Sequence, residues 1–249
     1  MMRKKTGIPG FDELIQGGLV ENRVYLVSGP PGSGKTTLGT QFLTHGATNG
    51  ELGLYVTLSE SPQNIVSDMS NYSLNVPTLI KLKKLFFLDL GPTLEYGYGE
   101  ELHSVITTAY DEMAEPAPET EAPSPYIVYK EINNFVKQYQ IQRVTIDSVS
   151  AIRFTTKERS QEEKELGRFM RNLRKLGCTT ILLSELTDPN KYSTEQFAAS
   201  GVIFMHNFMR DDSMTRAIQI IKMRGTEHDC DMRKIRFNKQ GLEVLDRIK

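Results

Sequence analysis

The segment Gly29-Pro30-Pro31-Gly32-Ser33-Gly34-Lys35-Thr36-Thr37 constrains this chain more than any other feature. It satisfies GxxxxGK[ST] and lies between the apolar run Val24 to Val27 and a stretch carrying Leu38, Phe42 and Leu43, so strand, loop and helix follow in the order that the spacing requires. Glycines let the backbone curl until successive N–H groups face a common centre, and the following helix adds its positive end. The pattern predicts a cradle for nucleotide phosphates. Lys35 supplies a point charge for the β- and γ-phosphates, and Thr36 a hydroxyl for Mg²⁺, an ion that takes few protein ligands beside phosphate oxygens. A glycine-rich turn without a ligand is the bland alternative, and the strand-loop-helix order argues against it.

A Mg²⁺-nucleotide site also needs a carboxylate across from the loop. Val144-Thr145-Ile146-Asp147 places one at the end of a buried apolar run. On its own such an Asp more often caps a turn, but with the phosphate loop upstream Asp147 becomes the Walker-B candidate. Guanine-specific GTPases carry Asn-Lys-x-Asp, whereas Asn190-Lys191-Tyr192-Ser193 and Asn238-Lys239-Gln240-Gly241 both lack the Asp. Ser148 follows Asp147, so the water-activating carboxylate has to come from elsewhere. Glu60, just after the run Leu54 to Leu58, can reach the γ-phosphate side from a neighbouring strand.

Apolar runs at Val24 to Val27, Leu54 to Leu58, Leu85 to Leu90, Val144 to Ile146 and Thr180 to Leu183 alternate with helical patterns. This alternation predicts an α/β fold with a mainly parallel sheet flanked by helices. Val128, Ile132, Phe135, Val136 and Tyr139 have helical spacing behind a Ser124 cap and Pro125. Ser160 and Glu163 form a capping-box pattern ahead of Leu166, Phe169, Met170, Leu173 and Leu176, and Gly177 supplies the stop. After Gly201 the runs Val202 to Met205, Ala217 to Met223, Lys234 to Phe237 and Leu242 to Leu245 predict an antiparallel, hairpin-rich C-terminal extension. Residues 112–125, rich in Pro and Glu without apolar periodicity, read as a mobile surface loop. With 249 residues, the expectation is a single domain over 1–249.

Thirty Lys and Arg against 31 Asp and Glu give a net charge of −1, which disfavours nucleic acid as a partner. Cys178 and Cys230 form no metal-ligand spacing and read as free thiols. Gly7, Pro9, Gly10, Asp12 and Glu13 stand where a secretory leader needs apolar residues. No run approaches the roughly 18 apolar residues that cross a bilayer. A cytoplasmic protein with no membrane insertion is expected.

Taken together, these segments resemble the KaiC-like branch of RecA-type P-loop ATPases over nearly the whole chain. The likeness rests on Thr6-Gly7-Ile8-Pro9-Gly10-Phe11-Asp12-Glu13-Leu14 with Gly17-Gly18-Leu19, and on Tyr55 to Pro62, Ile146-Asp147-Ser148 and Gly201-Val202-Ile203. Its most specific element is Lys222-Met223-Arg224-Gly225-Thr226-Glu227-His228. The resemblance implies ATP and Mg²⁺ as ligands in a homo-oligomeric ring, hexameric in the family. It further implies that Lys222 and Arg224 act on phosphates bound by the neighbouring subunit, with Thr226 and His228 at further positions contacting that nucleotide. A guanidinium delivered in trans neutralises charge on a transferring phosphoryl group.

Two departures matter. The family carries paired glutamates after the second strand, the first the presumed base; here Ser59 precedes Glu60, which implies slow hydrolysis or none. Ser193-Thr194 falls about three positions away from the family's phosphorylated pair, so autophosphorylation is not predicted. The leading expectation is an archaeal-type single-domain ATPase, slow and Mg-dependent, coupled to conformational signalling with a regulatory protein partner that the sequence leaves unidentified. A nucleotide-sensing scaffold with scarcely any hydrolysis is the alternative that Ser59 motivates. A DNA recombinase is weaker, because 28 residues before Gly29 leave no room there for an added DNA-binding domain.

Overall fold

In the computed structural model, residues 1–91, 106–108, 123–152, 159–185 and 193–248 are described. Strands β1 (Arg3–Lys4) and β2 (Leu19–Val20) form a small antiparallel sheet. The remaining strands are β3 (Val24–Ser28), β4 (Gly53–Thr57), β5 (Leu85–Asp89), β6 (Ile106–Thr108), β7 (Arg143–Asp147), β8 (Thr179–Ser184), β9 (Gly201–Arg210), β10 (Ser213–Met223), β11 (Arg233–Asn238) and β12 (Gly241–Arg247). They build one ten-stranded sheet in the order β12-β11-β10-β9-β3-β8-β7-β4-β5-β6. From β9 to β6 every neighbour is parallel, and from β9 outward through β12 every neighbour is antiparallel. The α/β class and the antiparallel C-terminal extension expected from the sequence are both present.

The helices are α1 (Lys35–Thr48), α2 (Pro62–Met69), α3 (Val76–Lys81), α4 (Pro125–Tyr139), α5 (Arg159–Lys175) and α6 (Thr194–Ala198). Strands β3, β4, β5 and β8 are buried along their entire length, which a parallel strand requires when both sheet faces are covered. Helix α4 starts where expected: Ser124 Oγ accepts the Ile127 N–H at 3.4 Å and Pro125 opens the first turn. It buries Val128, Ile132, Phe135 and Val136. The Phe135 ring meets Phe86 at 5.5 Å and Tyr139 at 4.5 Å.

Two expectations need correction or extension. Helix α5 begins at Arg159, so Ser160 is its second residue and not its cap; an N-cap has non-helical dihedrals, which an interior position cannot adopt. Gly177, with φ of 73°, does end that region. Strands β9 and β10 extend past the runs Val202 to Met205 and Ala217 to Met223 to a register of Ser213 with Arg210, with Met214 opposite Met209 and Thr215 opposite Phe208. Helix α2 was not among the elements read from the sequence; Ser61 caps it by accepting the Asn64 N–H at 3.2 Å. Of the proposed loop over 112–125, residues 112–122 lie outside the described residues.

Parallel registry sets up the site. Ser28 pairs with Ser184, and Thr57 pairs with Asp147 and Asp89, so these strand ends share the carboxyl edge of the sheet. In open α/β sheets that edge is where ligands bind. Below it, buried Arg143 pairs with Glu51 and donates to the carbonyls of Lys5 at 2.8 Å and Phe42 at 2.9 Å, locking α1 against β7. Among the described residues no helix is long and apolar enough to cross a membrane.

Candidate functional site

Leaving β3 at Ser28, the chain turns through residues 29–34 into α1. Gly34 stands at the helix N-cap with φ of 102°, and a Cβ there would lie 2.3 Å from the Phe237 ring, so both backbone and packing require glycine. No side chain caps this 14-residue helix, which leaves its first N–H groups for an anion. Ser33 Oγ is buried without a hydrogen-bond partner, a donor that a phosphate oxygen would satisfy.

Lys35 Nζ donates to the carbonyls of Gly29 at 2.9 Å and Pro30 at 3.1 Å. Burial pushes its ammonium below the ordinary lysine range, opposed by the charges of Asp147 and Glu185. Across the loop, Thr36 Oγ1 donates to Asp147 Oδ2 at 2.9 Å. The Tyr55 hydroxyl donates to the same oxygen at 2.6 Å. Burial, then the Asp147 charge, pushes that phenol well above its usual range. A hydroxyl and a carboxylate held together beside a phosphate cradle match the small oxygen donor set that Mg²⁺ takes. No cluster of three or more His, Cys, Asp or Glu able to hold a metal occurs among the described residues.

Glu60 shares a cleft of about 510 Å³ with Lys35 and Thr36. Burial raises its carboxyl above the usual range, and Asp68 and Asp147 raise it further. Asn71, Tyr72 and Phe237 also line the cleft. Arg216 closes one wall: its Nε donates to Gly32 O at 2.9 Å and its guanidinium lies 5.2 Å from the Phe237 ring centre. A bond of 2.6 Å from Ser73 N to Lys239 O ties the chain beyond α2 to the β11–β12 turn.

The remaining expected residues lie elsewhere. Lys222 Nζ donates to Gln196 O at 2.6 Å and Phe197 O at 3.1 Å, and Arg224 Nη2 donates to Phe197 O at 2.9 Å. Arg224 N reaches Ser200 O, Ser200 N reaches Val24 O, and Arg23 Nη1 reaches Arg224 O, which fixes Arg224 beside the start of β3. The phosphate loop follows the end of that strand. Four residue steps at about 3.3 Å each put roughly 13 Å of strand between them. Thr226 Oγ1 accepts from Arg3 Nη2 at 3.2 Å, and His228 Nδ1 lies 3.1 Å from Thr226 O. None of Lys222, Arg224, Thr226 and His228 lines the cleft of the chain's own loop.

Comparison with known proteins places this arrangement. The family described as "ATPase: KaiC" matches residues 4–249. The chain belongs to the KaiC family of ATPases. The circadian clock oscillator protein KaiC of Thermostichus vulcanus is 33% identical over 228 residues, covering 90% of this chain and 40% of that protein. The circadian clock protein KaiC3 of Synechocystis is 30% identical over 246 residues, covering 97% of this chain and 45% of its own length. This chain thus spans less than half of these KaiC relatives. A crystal structure of a KaiC-like protein from the hyperthermophilic archaeon Pyrococcus horikoshii superposes with a TM-score of 0.78 at 28% identity, covering 98% and 99% of the two chains.

For this KaiC-family chain, sequence reading missed Tyr55, Asp68, Asn71, Tyr72, Glu185, Arg216 and Phe237 around the loop. Tyr55 read as one more core residue of a buried strand, Phe237 as the end of the run Lys234 to Phe237, and Arg216 stands one residue before the run Ala217 to Met223. Their proximity to Gly32 and Gly34 depends on strands β10 and β11 folding back beside β9. Glu185 carried the one available signal, standing directly after β8 and two residues past the apolar run Thr180 to Leu183.

Proposed function

We propose that this KaiC-family chain binds ATP with Mg²⁺ at the 29–37 loop and hydrolyses it slowly within a homo-oligomeric, hexameric ring in the cytoplasm, coupling turnover to a conformational signal. The observation that carries this reading is the convergence of Lys35, Thr36, Asp147 and Glu60 at one sheet edge, with Lys222 and Arg224 held at the opposite end of β3. When bound, Mg²⁺ supplies charge neutralisation at the β- and γ-phosphates, with Thr36 and Asp147 as its protein partners. Gly29, Pro30, Pro31, Gly32, Ser33, Gly34 and Thr37 shape the cradle, and Lys35 moves from the carbonyls of Gly29 and Pro30 to phosphate oxygen. Asn71, Tyr72 and Phe237 offer an amide and aromatic faces to a purine base.

Glu60 is the base that orients water. Its raised carboxyl must be ionised to act, so turnover falls with acid at a higher pH than an ordinary carboxylate would give. Glu60→Gln should lower turnover by about 100-fold or more while ATP binding persists, because the change keeps size and removes the charge. Steady-state phosphate release and a nucleotide titration on the same preparation check this; unaltered hydrolysis would remove Glu60 from the chemistry. Ser59 supports a second reading, a nucleotide-sensing scaffold, and that reading gains if wild-type protein binds ATP yet releases no phosphate above background.

Lys222 and Arg224 serve the nucleotide of the next subunit, with Thr226 and His228 alongside. Exposed Phe197, at 65% accessibility, sits where both cations are anchored, as suits a face that another subunit covers. Burial, then Arg224 and Arg174, lowers Lys222 to about 8. In the separate subunit its charge is therefore present below that pH and is lost as pH rises through it. Phosphate from the neighbour would restore it, so activity that depends on the ring should weaken above about pH 8 at low nucleotide. Purification with bound proteins identifies the regulatory partner. Free Cys178 and Cys230 accord with a reducing compartment.

A further inference from the structure

We propose that Tyr55 is a positioning residue for the metal-binding carboxylate, holding Asp147 so that Thr36 presents its lone pairs to the ion. The inference rests on the reading of Thr36 and Asp147 as the Mg²⁺ pair.

Three observations carry it. Tyr55 is fully buried in the middle of β4, and its hydroxyl spends its proton on Asp147 Oδ2 at 2.6 Å. Thr36 Oγ1 donates to that same oxygen at 2.9 Å. An ionised carboxylate has about four lone-pair sites and no proton to give, so two donors on one oxygen fix its plane and leave the other sites free. Because the Thr36 proton is committed to Asp147, only its lone pairs remain for a cation. Register produces the triangle: Thr57 pairs with Asp147 and Tyr55 with Thr145, so the phenol starts two residues below the carboxylate and reaches up to it.

Packing alone does not call for the hydroxyl. The ring stacks on Phe87 with centroids 5.2 Å apart, and a phenylalanine would keep that stack. A buried hydroxyl has to find an acceptor, and here the acceptor is the charged group of the proposed metal site. Partners of this kind, which touch a ligand and not the metal, typically change metal affinity by about 10–100-fold when removed.

The test uses the full chain with ADP and Mn²⁺, which takes oxygen ligands like Mg²⁺ and is counted directly by electron paramagnetic resonance. Tyr55→Phe should weaken Mn²⁺ binding to the protein–ADP complex by about tenfold, with ADP affinity in EDTA unchanged. Phe87→Leu, which loosens the ring stack without touching the carboxylate, should lower the melting temperature and leave Mn²⁺ affinity as in wild type. Adding Tyr55→Phe to Asp147→Asn should cost nothing further, since the hydroxyl acts through the carboxylate. Equal Mn²⁺ affinity in wild type and Tyr55→Phe, an equal loss in Phe87→Leu, or additive losses in the double variant would each overturn the role of Tyr55. Should Asp147→Asn itself bind Mn²⁺ as wild type does, the metal reading of Asp147 falls and the role of Tyr55 falls with it. A loss in Asp147→Asn with none in Tyr55→Phe removes Tyr55 alone.

Discussion

Lys35→Ala should lower ATP affinity and turnover by about 100-fold or more, the scale seen when one preorganised electrostatic donor is deleted from a site of developing charge. The variant loses the ammonium that now rests on the carbonyls of Gly29 and Pro30. The loop glycines and the uncapped start of α1 remain, so a weakened cradle persists where a positive point charge is missing. The side chain is only half-buried and its two hydrogen bonds go to loop carbonyls, so the melting temperature without nucleotide should stay near that of wild type. Titration with a fluorescent ATP analogue, beside a melting curve, separates loss of ligand from loss of fold. Wild-type affinity and turnover in Lys35→Ala would remove the phosphate role of the loop.

Arg224→Ala should reduce turnover by about a thousandfold, as deletion of a charge-neutralising arginine does in other phosphoryl-transfer sites, while leaving nucleotide binding at the variant's own loop. The reason is geometric. Arg224 is fixed beside Val24 through the Ser200 backbone, whereas the loop leaves the other end of β3, so a direct role on phosphate in the proposed ring requires the loop of another subunit. Mixing Arg224→Ala with Lys35→Ala should then restore part of the activity, because some interfaces combine an intact loop with an intact arginine. Wild type diluted with each variant is the control, and fluorescence energy transfer between labelled subunits verifies exchange. No recovery despite exchange, or full activity of a strictly monomeric wild type, would end the trans assignment.

Much of this protein is legible along the chain. Short-range spacing carries the loop, because glycine, lysine and threonine act there through backbone shape and charge within nine consecutive residues. Asp147 was legible for a similar reason: a carboxylate ending an apolar strand lies at the sheet edge whatever its neighbours are. The parallel core followed from runs such as Val24 to Val27, and the antiparallel end from runs after Gly201. Ser160 misled, since a hydroxyl three residues before a glutamate describes a cap only if the helix begins after it, and α5 begins at Arg159.

The sequence by itself determined the candidate phosphate loop, its candidate metal carboxylate and the class of sheet behind them, because each depends on local spacing or on burial of a short segment. Only the tertiary structure decided what surrounds that loop. Tyr55 meets Asp147 through the parallel register of β4 and β7, and Arg216 and Phe237 reach Gly32 and Gly34 through strands that follow the loop by nearly two hundred residues. Arg224 is likewise separated from its own loop by the length of β3. Contacts of this kind arise from chain segments distant in sequence that pack to bury a common core, and no local pattern encodes which side chains then face one another.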